Sequence, residues 1–281
     1  MKKFDRIEKQ VVKYLVESHP IEASDLLELL APCLAIDSLV RKSIIKPKSK
    51  FGGFPDVPGD FEWPLTKTGQ PLSFISQLNL KQVAETNIVS ALPKFGMLYF
   101  FIYTGGINRY PKLSDEFFVF YCEKTNGLDN SSMSEVMHFD EVAINFKPSF
   151  SLPGWSSYLL RNRGELAAII EDCKGELNEI MGREEDNYNQ FLGHLQPVQG
   201  DLGYLWSKDY LYPEVETLSK TQIENIFAHE SKVINLLQLD FENSESNFSE
   251  FGGNGIAYFG IKEEDLNNGD FSKVFFSIQS T

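Results

Sequence analysis

Cysteine is scarce in this chain: three in 281 residues, at positions 33, 122 and 173. An odd, widely spaced set cannot form a disulfide framework, and suits reduced thiols in a cytosol. Each reads as a small buried hydrophobe. Histidine is nearly as rare, with His19, His138, His194 and His229 falling into no CxxC, HxH or HExxH spacing, so no local metal site is expected. No run approaches the roughly 18 apolar residues of a membrane helix. Met1-Lys2-Lys3 leads into charged residues and not into the apolar core of a signal peptide. Basic residues are outnumbered, 26 Lys and Arg against 40 Asp and Glu, for a net charge of −14. That field repels phosphate backbones and anionic lipid, so neither nucleic acid nor membrane is an expected partner. A cytoplasmic protein without cofactors is the expectation.

Aromatics are abundant, with 23 Phe and 11 Tyr, which points to sheet-rich packing because flat rings suit a pleated surface. At the start, Phe4, Ile7, Val11 and Leu15 recur at helical spacing up to His19-Pro20. A second helix is expected from Ser24 or Asp25 as N-cap, carrying Leu26, Leu27, Leu29 and Leu30 to Pro32. The stretch Phe51–Asp60 is punctuated by Gly and Pro and reads as irregular. Three strands then follow: Ser73–Leu80 (SFISQLNL), Met97–Tyr103 (MLYFFIY) and Glu116–Cys122 (EFFVFYC).

The far end repeats this order in Val233–Asp240 (VINLLQLD), Ile256–Lys262 (IAYFGIK) and Lys273–Gln279 (KVFFSIQ). Gln77-Leu78-Asn79 aligns with Gln238-Leu239-Asp240, and Gly96-Met-Leu-Tyr-Phe with Gly255-Ile-Ala-Tyr-Phe. Upstream, Gly52-Gly53-Phe54-Pro55 is echoed in Leu192-Gly193-His194-Leu195-Gln196-Pro197. Shared order and spacing favour duplication over chance likeness between strands. Between the repeats, apolar residues from Trp155 to Met181 run at helical intervals, with Gly164 and Gly175 as candidate breaks. Glu184-Glu185-Asp186-Asn187 reads as a solvated loop, and Ser219 with Gln222 as a capping box.

The reading is therefore α+β: an internal duplication of a three-stranded, mostly antiparallel unit, with N-terminal and central helices covering the sheet. One domain spans 1–281, with N-terminal helices in 1–45, halves of about 46–150 and 190–281, and a helical segment 151–189 between them.

The block Ser49–Pro55, with Glu62-Trp63-Pro64, Gly69, Pro71 and Phe74–Leu80, resembles the bacterial YwqG-like family. Leu192-Gly193-His194, Gln196-Pro197, Gln199-Gly200-Asp201, Leu236–Asp240 and Asp270–Val274 fit it too. Phe251-Gly252-Gly253-Asn254-Gly255 departs from the Trp-Gly-Asp pattern that the family often has. The resemblance implies no established activity and no catalytic residues. It implies membership of toxin–immunity neighbourhoods, and hence a cytosolic protein-binding role.

No GxSxG elbow is present, and Gly252–Gly255 precedes a strand, so it lacks the helix N-terminus that holds phosphate and reads instead as a hairpin or bulge. The most suggestive polar set is Asp56, Asp60, Glu62 and Trp63 in one half, with Gln199 and Asp201 in the other. Paired carboxylates facing a cleft suit acid–base work, with Trp63 as a stacking wall. In the bland reading the Asp residues bond their own loop and Trp63 staples it to the core. Gln77 and Gln238 occupy equivalent positions. Each is either a buried amide clamping a loop or part of a paired recognition surface; strict alternation sets Gln77 opposite Phe74, Ser76 and Leu78. The leading function is non-enzymatic protein binding. The second is a small-molecule-binding protein or hydrolase, with Phe51–Trp63 and Leu192–Asp201 lining one cleft between the halves and favouring a cationic or amide-rich partner.

Overall fold

In a run such as MLYFFIY, successive side chains point to opposite faces of a strand, and both faces here are apolar. Such a strand must be covered on both sides. The computed structural model, which describes residues 2–38, 48–88, 92–105, 114–184 and 187–280, shows how. Leu98, Phe100 and Ile102 enter the largest core cluster, while Met97, Tyr99 and Phe101 enter a second one on the other face.

The chain is mixed helix and strand. Two helices, α1 (Lys2–Ser18) and α2 (Ala23–Glu28), precede strands β1 (Ala31–Ser38), β2 (Lys50–Phe51), β3 (Asp56–Pro58) and β4 (Ser73–Asn79). Helix α3 (Leu80–Ala84) leads to β5 (Met97–Ile102), β6 (Phe117–Cys122), β7 (Leu128–Asn130) and the long β8 (Val142–Ser151). Helix α4 (Gly164–Met181), β9 (Gln190–Phe191), α5 (Leu202–Leu211) and α6 (Lys220–Glu230) come next. The chain closes with β10 (Val233–Asp240), α7 (Ser249–Gly252), β11 (Gly255–Lys262), α8 (Glu263–Asn267) and β12 (Phe275–Ser280). Among the described residues no helix is long and apolar enough to cross a membrane.

Ten strands form one sheet in the order β12-β11-β10-β9-β1-β8-β2-β4-β5-β6, and β3 pairs with β7 apart from it. The sheet is mostly antiparallel and nearly barrel-shaped. Aromatic contacts mark the curl: Phe100 of β5 meets Phe259 of β11 at 4.9 Å, and Phe117 of β6 stacks on Phe276 of β12 at 5.3 Å. One core cluster thus draws on both ends of the sheet. The runs β4-β5-β6 and β10-β11-β12 are both antiparallel meanders in chain order.

Several elements differ from expectation. Pro32 does not end a helical region: β1 runs through it, paired with β8 over its whole length. Pro32 is tolerated because β9 reaches only Leu34 and Ala35, leaving the proline nitrogen at an edge. Segment 1–45 is therefore not helical throughout. Helix α2 takes Glu22 as N-cap, with Asp25 in its first turn. Phe51–Asp60 is not wholly irregular, since Asp56–Pro58 pairs with Leu128–Asn130. Helix α4 begins at Gly164, passes through Gly175 and ends at Gly182 in a left-handed C-cap, with a 3₁₀ turn at Tyr158–Leu160 before it. Strict alternation also fails in β4, because a bulge at Ile75 shifts the register and brings Phe74 to the Gln77 face.

Other expectations hold. Ile7, Val11 and Leu15 bury together with Leu26 of α2, Leu166 and Ile170 of α4 and Phe150 of β8. The Ser219–Gln222 capping box is present in both directions. All three cysteines are free and buried. Phe4 as a side chain, and Glu185 and Asp186, lie outside the described residues.

Candidate functional site

Two loops are built alike, atom for atom in several places. In each a two-residue strand ending in phenylalanine (Lys50-Phe51, Gln190-Phe191) turns through two left-handed residues: Gly52 and Gly53 in one, Leu192 and Gly193 in the other. Both carry a bulge in the following long strand, at Ile75 and at Leu236, whose carbonyls accept from Gly52 and Leu192. Two residues beyond each bulge stands a fully buried glutamine. Gln77 accepts from the Asp56 backbone N–H at 2.8 Å and donates to the Lys48 carbonyl at 2.8 Å and to Asp56 Oδ2 at 2.7 Å. Gln238 accepts from the Gln196 N–H at 3.1 Å and donates to the Tyr188 carbonyl at 3.0 Å. Opposite each glutamine a tyrosine, Tyr99 or Tyr258, donates to the carbonyl of that same loop residue, Asp56 or Gln196. Burial pushes both phenols up, which keeps them protonated donors. The amides thus clamp loop backbone.

The remaining site residues expected from the sequence separate. Asp56 is tied to Gln77 and to Asn130 Nδ2, while Asp60 and Glu62 are exposed. Trp63 donates to the Leu72 carbonyl at 2.8 Å and meets Phe101 edge-on, stapling its loop to the sheet. Gln199 is exposed and donates to Ser280 Oγ. Asp201 caps α5 through the Tyr204 N–H and pairs with Arg161 at 3.2 Å. None of the three cavities described in the chain is lined by both loops.

One of those cavities, of about 110 Å³, lies beneath the second loop, between the 3₁₀ turn, the end of α6 and the start of β10. The fold delivers its polar groups from four separate elements. Arg161 follows the turn and lies over the Phe227 ring at 4.0 Å. Its guanidinium donates to Glu230 Oε1 at 2.5 Å and to Asp201 Oδ2 at 3.2 Å. Glu230 is 1% exposed, and its second oxygen, Oε2, has no hydrogen-bond partner. Burial and then the Asp201 charge push its carboxyl up to about 7 against the pull of Arg161. Asn235 is fully buried, donates to the Leu192 carbonyl at 3.0 Å and leaves its own Oδ1 without a partner. His194 also lines the space; its Nε2 bonds the Leu29 carbonyl at 2.7 Å, and burial holds its pKa down. Among the described residues no three His, Cys, Asp or Glu converge as metal ligands.

Among the described residues the first loop has no such pair of unpartnered oxygens. The position before the bulge, Asn235 in β10, is Phe74 in β4, packed on Phe101 at 5.4 Å within an apolar cluster with Val57 and Leu72. Glu230 and Arg161 were not singled out in the sequence, because they converge only in the fold. Asn235 did leave a signal, as an amide in the apolar run VINLLQLD.

Residues 49–280 match the model of a family described as a domain of unknown function, DUF1963, so the chain belongs to that family. No curated protein matches the chain.

Proposed function

We propose that this protein is a non-enzymatic binding module whose cavity beneath the second loop receives a group rich in hydrogen-bond donors. The observation that carries the reading is the pair of buried acceptors, Glu230 Oε2 and Asn235 Oδ1, unpartnered and lining one cavity. Buried polar atoms are nearly always paired, and an unpaired one costs about 1–3 kcal/mol. A ligand that supplies donors relieves that cost, whereas an anion adds repulsion from Glu230 and Asp201. The net charge of −14 works in the same direction.

The ligand is a side chain of a protein partner, in keeping with the immunity-like role that the YwqG-like resemblance implies for a cytoplasmic protein. The matched clamps support descent from one duplicated three-stranded unit, and the shared core supports a single domain. A small-molecule hydrolase is the second reading, supported by the raised Glu230 carboxyl beside Asp201, a pairing suited to proton transfer.

A thermal-shift series tests the binding reading. Peptides containing Lys or Asn, free amines, amides, sugars and phosphate are compared on the unaltered protein and on Asn235→Leu. Donor-bearing compounds raise the melting temperature only with Asn235 in place. Equal stabilisation by phosphate, or stabilisation that survives Asn235→Leu, overturns the reading. A peptide shift larger than that of the matching free amine favours the protein partner over the small molecule.

A further inference from the structure

We infer that the cavity beneath the second loop is a site for a primary ammonium group, such as the end of a lysine side chain or a small free amine. The inference rests on the binding reading above and names the chemistry of the ligand. With Glu230 ionised both unpartnered atoms are acceptors, so the guest that suits this form brings at least two donors and no acceptor of its own. An ammonium offers three N–H groups and none that accepts. An amide brings a carbonyl that would face the same acceptor wall, and an alcohol has only one donor. A cavity of about 110 Å³ accommodates an ammonium with a short alkyl stem.

Charge favours the same guest. With Asp201 and Glu230 both ionised, Arg161 balances only one of them, and a monocation balances the other. The charged and titratable groups that act on Glu230 from neighbouring elements are Arg161 after the 3₁₀ turn, Tyr158 within it and Asp201 of the α5 cap, while His194 of the loop lines the same cavity. On its own helix, His229 turns instead to Ser207 Oγ at 2.8 Å. Tyr158 has its phenol raised by burial and the Glu230 charge, and burial holds the His194 pKa down, so Arg161 is the counter-cation of this group.

Binding of the cation is therefore coupled to a proton. Below about pH 7 the empty site carries a protonated Glu230, and an arriving ammonium displaces that proton to solvent. The ligand itself stays charged, since alkylammonium groups lose their proton only near pH 10. Affinity accordingly rises about tenfold per pH unit below pH 7 and levels off above it.

The test titrates the full-length protein with ethylammonium chloride, Nα-acetyl-lysine amide and ethanol from pH 5.5 to 8.5 at constant ionic strength. Binding is read by NMR together with the Glu230 carboxyl ¹³C shift. For so small a probe the dissociation constant is expected in the millimolar range. Ethylammonium binding should strengthen with pH as stated, lower the apparent titration midpoint of Glu230 and lose its pH dependence in Glu230→Gln. Lysine amide binding at least tenfold tighter than ethylammonium assigns the source as a lysine side chain; equal affinities assign a free amine. A flat pH profile with ethanol binding as well as ethylammonium overturns the ammonium inference while leaving a donor-binding cavity. No binding by any probe, with the Glu230 signal unmoved, overturns both.

Discussion

Removing one glutamine clamp tests whether the paired amides hold the loops. Gln238→Leu fills nearly the same buried volume but strands the Gln196 N–H and the Tyr188 carbonyl, both satisfied by the amide. Each buried group left unpaired costs about 1–3 kcal/mol, so the loss for the two should be roughly 2–6 kcal/mol. Gln77→Leu strands the Asp56 N–H and the Lys48 carbonyl and takes one partner from the Asp56 carboxylate. Its cost should equal or exceed that of Gln238→Leu. Against a typical total of about 5–15 kcal/mol either is a large fraction. Urea denaturation followed by circular dichroism and tryptophan fluorescence measures the change in midpoint. Gln199→Leu is the control, because that side chain is exposed and should cost within about 0.5 kcal/mol. Losses below about 1 kcal/mol in both clamp variants would refute the reasoning, since they would mean that water or backbone shifts satisfy the loops without the amides.

Gly193→Ala should be strongly destabilising, by about 2 kcal/mol or more, because φ is +78° and a Cβ would sit 2.5 Å from Ser151 Oγ and 2.6 Å from Cys33 Cβ; a lowered melting temperature checks it. Glu230 binds its proton more tightly folded than unfolded. Its contribution to stability is full below the ordinary carboxylate range and is lost as pH rises through about 7. Denaturation midpoints between pH 4 and 8 should therefore fall less steeply in Glu230→Gln than in the unaltered protein. Asp201→Ala removes a helix cap and an ion-pair partner and should cost about 1–2 kcal/mol, whereas exposed Asp60→Ala should stay within about 0.5 kcal/mol by the same denaturation assay. The thiols of Cys33, Cys122 and Cys173, all free and buried, should react with a thiol reagent slowly in the native protein and fully in denaturant.

What could be read from the residues was whatever local pattern dictates. The six aromatic and β-branched runs each announce a strand without reference to their neighbours, and four of them, β4, β5, β10 and β11, bury nearly every side chain. The capping box was legible because its whole chemistry lies within four residues. Strand β1 was missed because Pro32 reads locally as the end of a helix, and β8 because its run carries no aromatic cluster like those of β5 and β6. Their mutual pairing, which makes them strands, spans more than a hundred residues. Loop carboxylates looked functional because loop position and charge are visible in sequence. Asp56 is tied to Gln77 and Asn130, whereas Asp201 caps α5, pairs with Arg161 and also lines the cavity with Glu230.

The difference between the two loops bears most directly on the proposed function. A frame that recurs down to the bulge, the amide clamp and the tyrosine bond shows what the loop needs in order to stand, and those features require no ligand. What varies within the frame is then free to serve something else. At the position before the bulge the first loop carries Phe74 and closes its site with hydrocarbon, which is the inexpensive solution for a buried position. The second carries Asn235 with a bare oxygen, and beside it Glu230 with another. Two acceptors left unsatisfied cost about 2–6 kcal/mol together, set against the Asn235 bond to the Leu192 carbonyl and the pairing of Glu230 with Arg161. The same scaffold accepts phenylalanine at the equivalent place, so the architecture does not demand the polar choice. A guest that brings donors to these two oxygens, as proposed above, would offset that cost.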